Sequence, residues 1–178
     1  MRHKLLASLK GPSDIMIAPG ATIGILGGGQ LGRMLAMAAA QLGYRCHIFA
    51  PEQDSIAAEV SAAFTCAEWT DAEAMARFAA DCAVVTYEFE NVPVAAAEFL
   101  ERTVSVYPPS KALSAAQDRV TEKRFLNDCG IATADFRAVD SQAELEAALN
   151  DFGGKGVLKT RRMGYDGKGQ RLFKGGED

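Results

Sequence analysis

The sequence predicts an α/β protein. A parallel sheet, covered by helices on both faces, is followed by a smaller unit of different construction. Three observations carry this. From Thr22 to about residue 108, short apolar runs alternate with helical patterns across short connections, the order that builds parallel sheets. A glycine turn, GGGQLG at 27–32, joins the first such run to the first helix. Near residue 110 the alternation gives way to a helix, a strand, a helix and two strands flanking a glycine-rich loop.

Each element has its own signal. ATIGILG is a buried strand ending in glycine. In residues 30–42, Leu31, Met34, Leu35, Ala38, Ala39 and Leu42 fall on one helical face, and Gly43 stops the helix. RCHIFA and AAFTCA are the second and third strands. Thr70 with Glu73 reads as a capping box for a helix through Phe78. CAVVTYEF is the fourth strand, Pro93 opens the helix AAAEFL, and TVSVYP is a fifth strand. Residues 110–129 read as one helix stopped by Gly130. ADFRAV is a strand, and Ser141 with Glu144 caps a helix to about Asn150. The strand of Lys159, the glycine loop and QRLFK close the sequence. Three strands bury little, so this second unit reads as unfinished.

Composition narrows the function classes. The 178 residues are 48% hydrophobic and 24% charged, which suits one or two globular domains. A net charge of −4 argues against a nucleic-acid surface spread over the whole protein. The four cysteines form no CxxC pair, and neither histidine lies near a cysteine pair, so a zinc site is not expected. Cys46 and Cys66 read as buried free thiols of a reducing compartment. Residues 1–21 read as a disordered extension, being too short and broken in their apolar run for a secretory signal. No stretch approaches the roughly 20 apolar residues of a membrane span. A cytoplasmic protein is expected.

Four motifs carry chemistry. GGGQLG fits GxGxxG through Gly27, Gly29 and Gly32, the setting in which backbone N–H groups at a helix start bind phosphate. Glu52 lies at the distance of a ribose-binding acid, so a dinucleotide reading is open beside a phosphosugar reading and a purely structural turn. Gln30 points from the helix start toward whatever binds there. In YEFENVP, Glu88 and Glu90 alternate with Phe89 beyond a strand end, where α/β sheets hold ligands. They read either as acceptors for an amine or ribose hydroxyl or as a solvated turn, with Glu88 the nearer to the strand. DRVTEKRFL carries Arg119, Lys123 and Arg124 on a helix. Finally, VLKTRRMGYDGKGQRLF holds Lys159 in a strand before Gly164, Gly167 and Gly169. Residues 155–174 contain seven basic residues against one acid, Asp166. Glycine lets a backbone approach a ligand, and local cations favour anions, so this is a phosphate-covering loop.

Together, ILGGGQLGRML, VVTYEFENVP, QDRVTEKRFL and VLKTRRMGYDGKGQ resemble the amino-terminal part of the N5-carboxyaminoimidazole ribonucleotide synthase family of ATP-grasp ligases, over residues 22–174. The resemblance implies a Rossmann-like pre-ATP-grasp domain at 22–116, then a linker helix and the start of an α+β ATP-grasp domain at 117–178. It implies ATP-dependent carboxylation of 5-aminoimidazole ribonucleotide with bicarbonate through carboxyphosphate, in purine biosynthesis. It places Arg119, Lys159 and the lid Gly164, Tyr165, Asp166, Gly167, Lys168, Gly169 and Gln170 on ATP. Tyr165, Asp166 and Lys168 would also approach the reacting groups, and Gly29, Gln30, Leu31 and Glu88 would hold the ribonucleotide. Mg2+ is expected with its ligands beyond residue 178, and a homodimer is expected for the full-length enzyme. The 178-residue chain alone is expected to be inactive. Two competing readings are an NAD(P)-dependent oxidoreductase built on GGGQLG and Glu52, and a non-catalytic ribonucleotide-binding remnant.

Overall fold

The computed structural model describes residues 16–164 and 167–175. Most of the extension expected at 1–21, together with Tyr165 and Asp166, lies outside the described residues. The chain forms two compact units. The first comprises Met1–Glu88 with Phe99–Tyr107, and the second Phe89–Glu98 with Pro108–Asp178.

The first unit is a parallel sheet. Its strands are β1 (Thr22–Leu26), β2 (Arg45–Ala50), β3 (Ala63–Cys66) and β4 (Val84–Tyr87), in the order β3-β2-β1-β4. Helices α1 (Gln30–Gln41) and α2 (Ala72–Ala80) make the crossovers. β2 alternates between the two faces of the sheet. Cys46, Ile48 and Ala50 join Ile25, Ala36, Ala39 and Ala57 in one buried cluster. His47 and Phe49 take the other face, where the Phe78 ring of α2 meets both and Trp69 meets Phe49. Burying Phe49, Phe78, Ile25, Leu26 and Ile48 contributes about 1.5–3 kcal/mol each.

Several expectations need correction. The apolar face of α1 read from the sequence is not the buried one. Gly32, Ala36 and Ala39 are buried, while Leu31, Met34, Leu35 and Leu42 are exposed. Small residues let the helix approach the sheet closely. A Cβ on Gly32 would lie 3.0 Å from the Gly27 carbonyl. The cap of α2 is Asp71, which accepts from Ala74 N–H at 2.9 Å, and not Thr70, in keeping with the stronger capping of aspartate. The fifth strand shrinks to a single parallel bridge, Val85 to Val106. Pro108 and Pro109 follow at once and offer no N–H for further pairing. Cys46 is buried as expected, but Cys66 is exposed. All four thiols are free, and burial pushes Cys82 up to about 12.

His47 gives this core a pH dependence. It is 5% exposed, its Nε2 lies 2.8 Å from Thr65 Oγ1, and its buried Nδ1 makes no hydrogen bond. Burial lowers its pKa from 6.5, opposed by Asp81, whose carboxylate is 3.8 Å away. The unfolded chain therefore binds a proton that the folded core resists. Stability is full above about pH 6.5 and falls as the pH drops through that value toward the lower folded-state pKa. Urea midpoints measured between about pH 7.5 and pH 5.5 are expected to decline, and His47→Gln to flatten the decline. An identical slope in both proteins would refute this.

The second unit holds α3 (Val94–Leu100) apart from its last two residues, α4 (Ser110–Ala116), α5 (Arg119–Asp128), α6 (Gln142–Asp151), β5 (Lys155–Lys159) and β6 (Gln170–Lys174). The single helix expected over 110–129 is broken at Gln117 and Asp118. The Asp118 carboxylate accepts from Val120 N–H at 3.0 Å and Thr121 N–H at 3.1 Å, which starts a new helix. ADFRAV forms no strand. Lys123 donates to the Ala134 carbonyl and Arg137 to that of Phe136, so side chains take up carbonyls that a ladder would use. Ser141 caps α6 through Glu144 N–H as expected. The return bond from Glu144 goes to Asp140 N–H, one residue upstream of a regular capping box. β5 and β6 are antiparallel, with Lys159 opposite Gln170 and Val157 opposite Leu172.

Candidate functional site

One carboxylate explains the first glycine loop. Glu88 leaves the end of β4, its own N–H bonded to the Leu26 carbonyl at 3.1 Å. Its Oε1 accepts from Gly29 N–H at 2.8 Å and its Oε2 from Gly32 N–H. α1 has no side-chain cap from its own segment, so Glu88 serves as the anion at its positive end. Gly27 has φ 106°, and a Cβ there would lie 2.5 Å from Glu88 Cγ. A Cβ on Gly29 would lie 2.9 Å from Oε1. The GxGxxG spacing thus makes room for a side chain of the same chain. A dinucleotide pyrophosphate would need the same N–H groups and would meet a negative charge. Gln30 and Leu31, in the first turn of α1, are exposed beside this loop, and Glu52 is exposed beyond β2. Glu90 belongs to the second unit.

In the second unit, a cleft of about 170 Å³ is lined by Arg119, Lys159, Thr160, Gly164, Gly167, Lys168, Gly169 and Gln170. These are the ATP-side residues read from the sequence, apart from Tyr165 and Asp166, which lie outside the described residues, and with Thr160 added. Three cations and no carboxylate are among the described lining residues, which makes the cleft a site for an anion. Lys159 ends β5 with its side chain in solvent. Arg119 ties the loop to α5 twice. Its backbone N–H donates to the Arg161 carbonyl at 3.0 Å, and its guanidinium to the Gly164 carbonyl at 3.1 Å. Thr160 closes the loop stem, its N–H bonding the Gly169 carbonyl at 2.8 Å. Its hydroxyl would lie 2.5 Å from a Cβ at Gly169, where φ is 69°, so only glycine fits there without strain.

The basic cluster divides into two groups. Arg161 pairs with Asp140 at 2.6 Å, and Arg162 with Asp118 at 3.8 Å. These two brace the loop, while Arg119, Lys159 and Lys168 line the cleft. Sequence reasoning missed this division, Thr160, and an apolar pair. Val157 and Leu172 lie opposite each other on the face that carries Lys159, half-exposed. The two-residue alternation back from Lys159 was the signal for Val157.

Asp118 holds the base of this arrangement. Hydrogen bonds from Thr121 and Val120 N–H, with Arg161 and Arg162 nearby, keep its carboxyl below the usual range against the opposing effect of burial. Asp118→Ala is expected to destabilise the protein by about 1 kcal/mol, with Asp118→Asn retaining most of the cap. Thermal unfolding of the pair checks this, and equal losses would contradict a capping role.

Among the described residues, no group of three or more His, Cys, Asp or Glu is arranged to hold a metal ion, and no helix is long and apolar enough to cross a membrane.

Comparisons with known proteins agree with this two-part layout. Residues 20–117 match the ribonucleotide synthetase preATP-grasp domain family, and residues 124–178 match the ATP-grasp domain family. An N5-carboxyaminoimidazole ribonucleotide synthase of Brucella melitensis is 56% identical over 154 residues, 86% of this chain and 42% of that protein. The ADP-complexed N5-carboxyaminoimidazole synthetase of Staphylococcus aureus superposes with a TM-score of 0.82 at 36% identity, covering 88% of this chain and 42% of the other. The Aspergillus clavatus N5-carboxyaminoimidazole synthase in complex with ADP and 5-aminoimidazole ribonucleotide gives a TM-score of 0.71 at 27% identity, over 86% and 40%. The chain spans about two-fifths of the length of these relatives. It belongs to the ribonucleotide synthetase preATP-grasp domain family, continues into the beginning of an ATP-grasp domain, and is similar throughout to the amino-terminal part of N5-carboxyaminoimidazole ribonucleotide synthases.

Proposed function

We propose that this chain supplies the ribonucleotide-binding domain and the first nucleotide-binding elements of an ATP-dependent carboxylase. That enzyme converts 5-aminoimidazole ribonucleotide and bicarbonate to the N5-carboxylated product in the cytoplasm, as a homodimer. The observation that carries the reading is the cleft lined by Arg119, Lys159 and Lys168 together with Gly164, Gly167 and Gly169. Phosphoryl transfer to bicarbonate asks the protein to position a triphosphate and neutralise its charge, and needs no protein nucleophile. Arg119 and Lys159 contact the phosphates, and backbone N–H groups of residues 164–170 cover them. Lys168, with Tyr165 and Asp166, approaches the reacting bicarbonate or amine. The Val157–Leu172 pair offers the adenine an apolar surface two residues along the strand from Lys159. In the first unit, Gly29, Gln30 and Leu31 receive the ribonucleotide, with Glu88 holding the loop in shape for it. Mg2+ accompanies ATP in this reading, but the described residues do not form its site, and no step is routed through it.

Calorimetric titration of the purified chain with ATP and with NAD tests the proposal. Binding of ATP without NAD is expected. Binding of NAD without ATP would replace the reading with an oxidoreductase.

A further inference from the structure

The peptide between Gly28 and Gly29 is held from both sides. Its C=O and N–H lie in one plane and, in the usual trans form, point in opposite directions. On the N–H side stands Glu88, at 2.8 Å. On the carbonyl side stands the segment after β2. Ser55 Oγ donates to the Gly28 oxygen at 3.0 Å, and Ala57 N–H donates to it at 3.1 Å. Ser55 is 6% exposed, and its oxygen also accepts from Ala58 N–H at 3.1 Å, so the buried hydroxyl is used as donor and as acceptor. The approach is close. A Cβ on Gly28 would lie 2.5 Å from Ser55 Oγ and 3.1 Å from Ala50 Cβ. This glycine makes room for the serine as Gly27 and Gly29 make room for Glu88.

A peptide turned over at this point would present its oxygen to the Glu88 carboxylate and to the start of α1. Such a flip changes ψ of Gly28 and φ of Gly29, and glycine opposes it little by sterics. Glu88 holds the peptide by one hydrogen bond, its other contact being to Gly32. Ser55 and Ala57 hold the far end, where a buried carbonyl stripped of its donors is costly. We propose that Ser55 is a positioning residue of the ribonucleotide site: it fixes the orientation of the 28–29 peptide, so that Ser55 and Glu88 act on the turn as one clamp. The inference rests on the reading of Gly29, Gln30 and Leu31 as ribonucleotide-binding. Ser55 is buried on the carbonyl side, and its effect on a ligand passes through the peptide. With the Gly28 carbonyl drawn back to Ser55, a phosphate arriving at the start of α1 does not meet the negative end of that dipole.

A double-mutant cycle on the 178-residue chain tests the clamp. Urea unfolding is measured for the wild type, Ser55→Ala, Glu88→Gln and the double variant. Because both side chains act on one peptide, their losses overlap. The unfolding constant of the double variant is expected to be about fivefold or more below the value given by multiplying the two single effects. Effects that simply multiply would mean two independent contacts, and overturn the proposal. If Ser55→Ala does not fold, Ser55→Cys, which keeps the volume and weakens the donor, takes its place in the cycle. Calorimetric titration with 5-aminoimidazole ribonucleotide supplies the functional arm. Ser55→Ala is expected to bind about tenfold more weakly than the wild type, the effect of a displaced binding group. Equal affinity also overturns the proposal. A wild type that binds no ribonucleotide refutes the reading of the site, and the cycle then still decides whether Ser55 orients the peptide.

Discussion

Replacing Lys159 by methionine is expected to raise the dissociation constant for ATP by about 10- to 100-fold and to leave the fold unchanged. The side chain is exposed at the end of β5, so its loss removes no packing. What is lost is a charge-assisted contact, worth about 1.5–3 kcal/mol. Methionine keeps the length and much of the apolar stem, which confines the change to the ammonium. The adjacent arginines supply the contrast. Arg161 and Arg162 are also cationic and close in sequence, but each is directed to a carboxylate of its own unit. Arg162→Ala is therefore expected to change ATP affinity by less than about threefold, the scale of an exposed ion pair. Calorimetry on the two variants decides. An Arg162→Ala effect as large as that of Lys159→Met would mean that local charge density, and not placement, sets affinity.

Glu88→Ala is expected to lower the unfolding free energy by about 2–4 kcal/mol, because Gly29 and Gly32 N–H both lose their acceptor at the positive end of α1. Glu88→Gln is the sharper experiment. The amide preserves shape but has one oxygen for two N–H groups, and its NH2 must then face a donor. About half of the loss is expected to remain. A glutamate that only awaits a substrate amine would tolerate glutamine without loss of stability. Urea unfolding of both variants separates these cases, and a neutral Glu88→Gln would show that the carboxylate does not cap α1.

The strands β1, β2 and β4, the turn between β1 and α1, and the Lys159 strand with its glycine loop were legible because each depends on local signals: apolar runs, glycine placement and charge. What depends on a distant partner was not. The GxGxxG spacing does not show by itself that Glu88, 56 residues from Gly32, accepts from two of the N–H groups at this helix start. The buried stripe of α1 is Gly32, Ala36 and Ala39, and no hydrophobicity pattern ranks glycine and alanine above leucine and methionine for burial. The break at Asp118 was open to reading, since an aspartate inside a helical run competes for its own backbone. The basic cluster around the loop looked uniform because sequence shows charge and not pairing. Asp140 lies 21 residues before the arginine it neutralises.

The stem bond from Thr160 to Gly169 bears on how affinity is divided between ligand and protein. A loop whose ends are already joined leaves less for a ligand to order on binding, each residue already fixed sparing roughly 1–2 kcal/mol. Arg119 fixes part of the loop through Arg161 and Gly164. Opening the stem, as a side chain at Gly169 would, transfers the whole closure to the ligand. Affinity would then fall with no contact to the ligand removed, and association would slow while the chemistry of the bound state stayed the same.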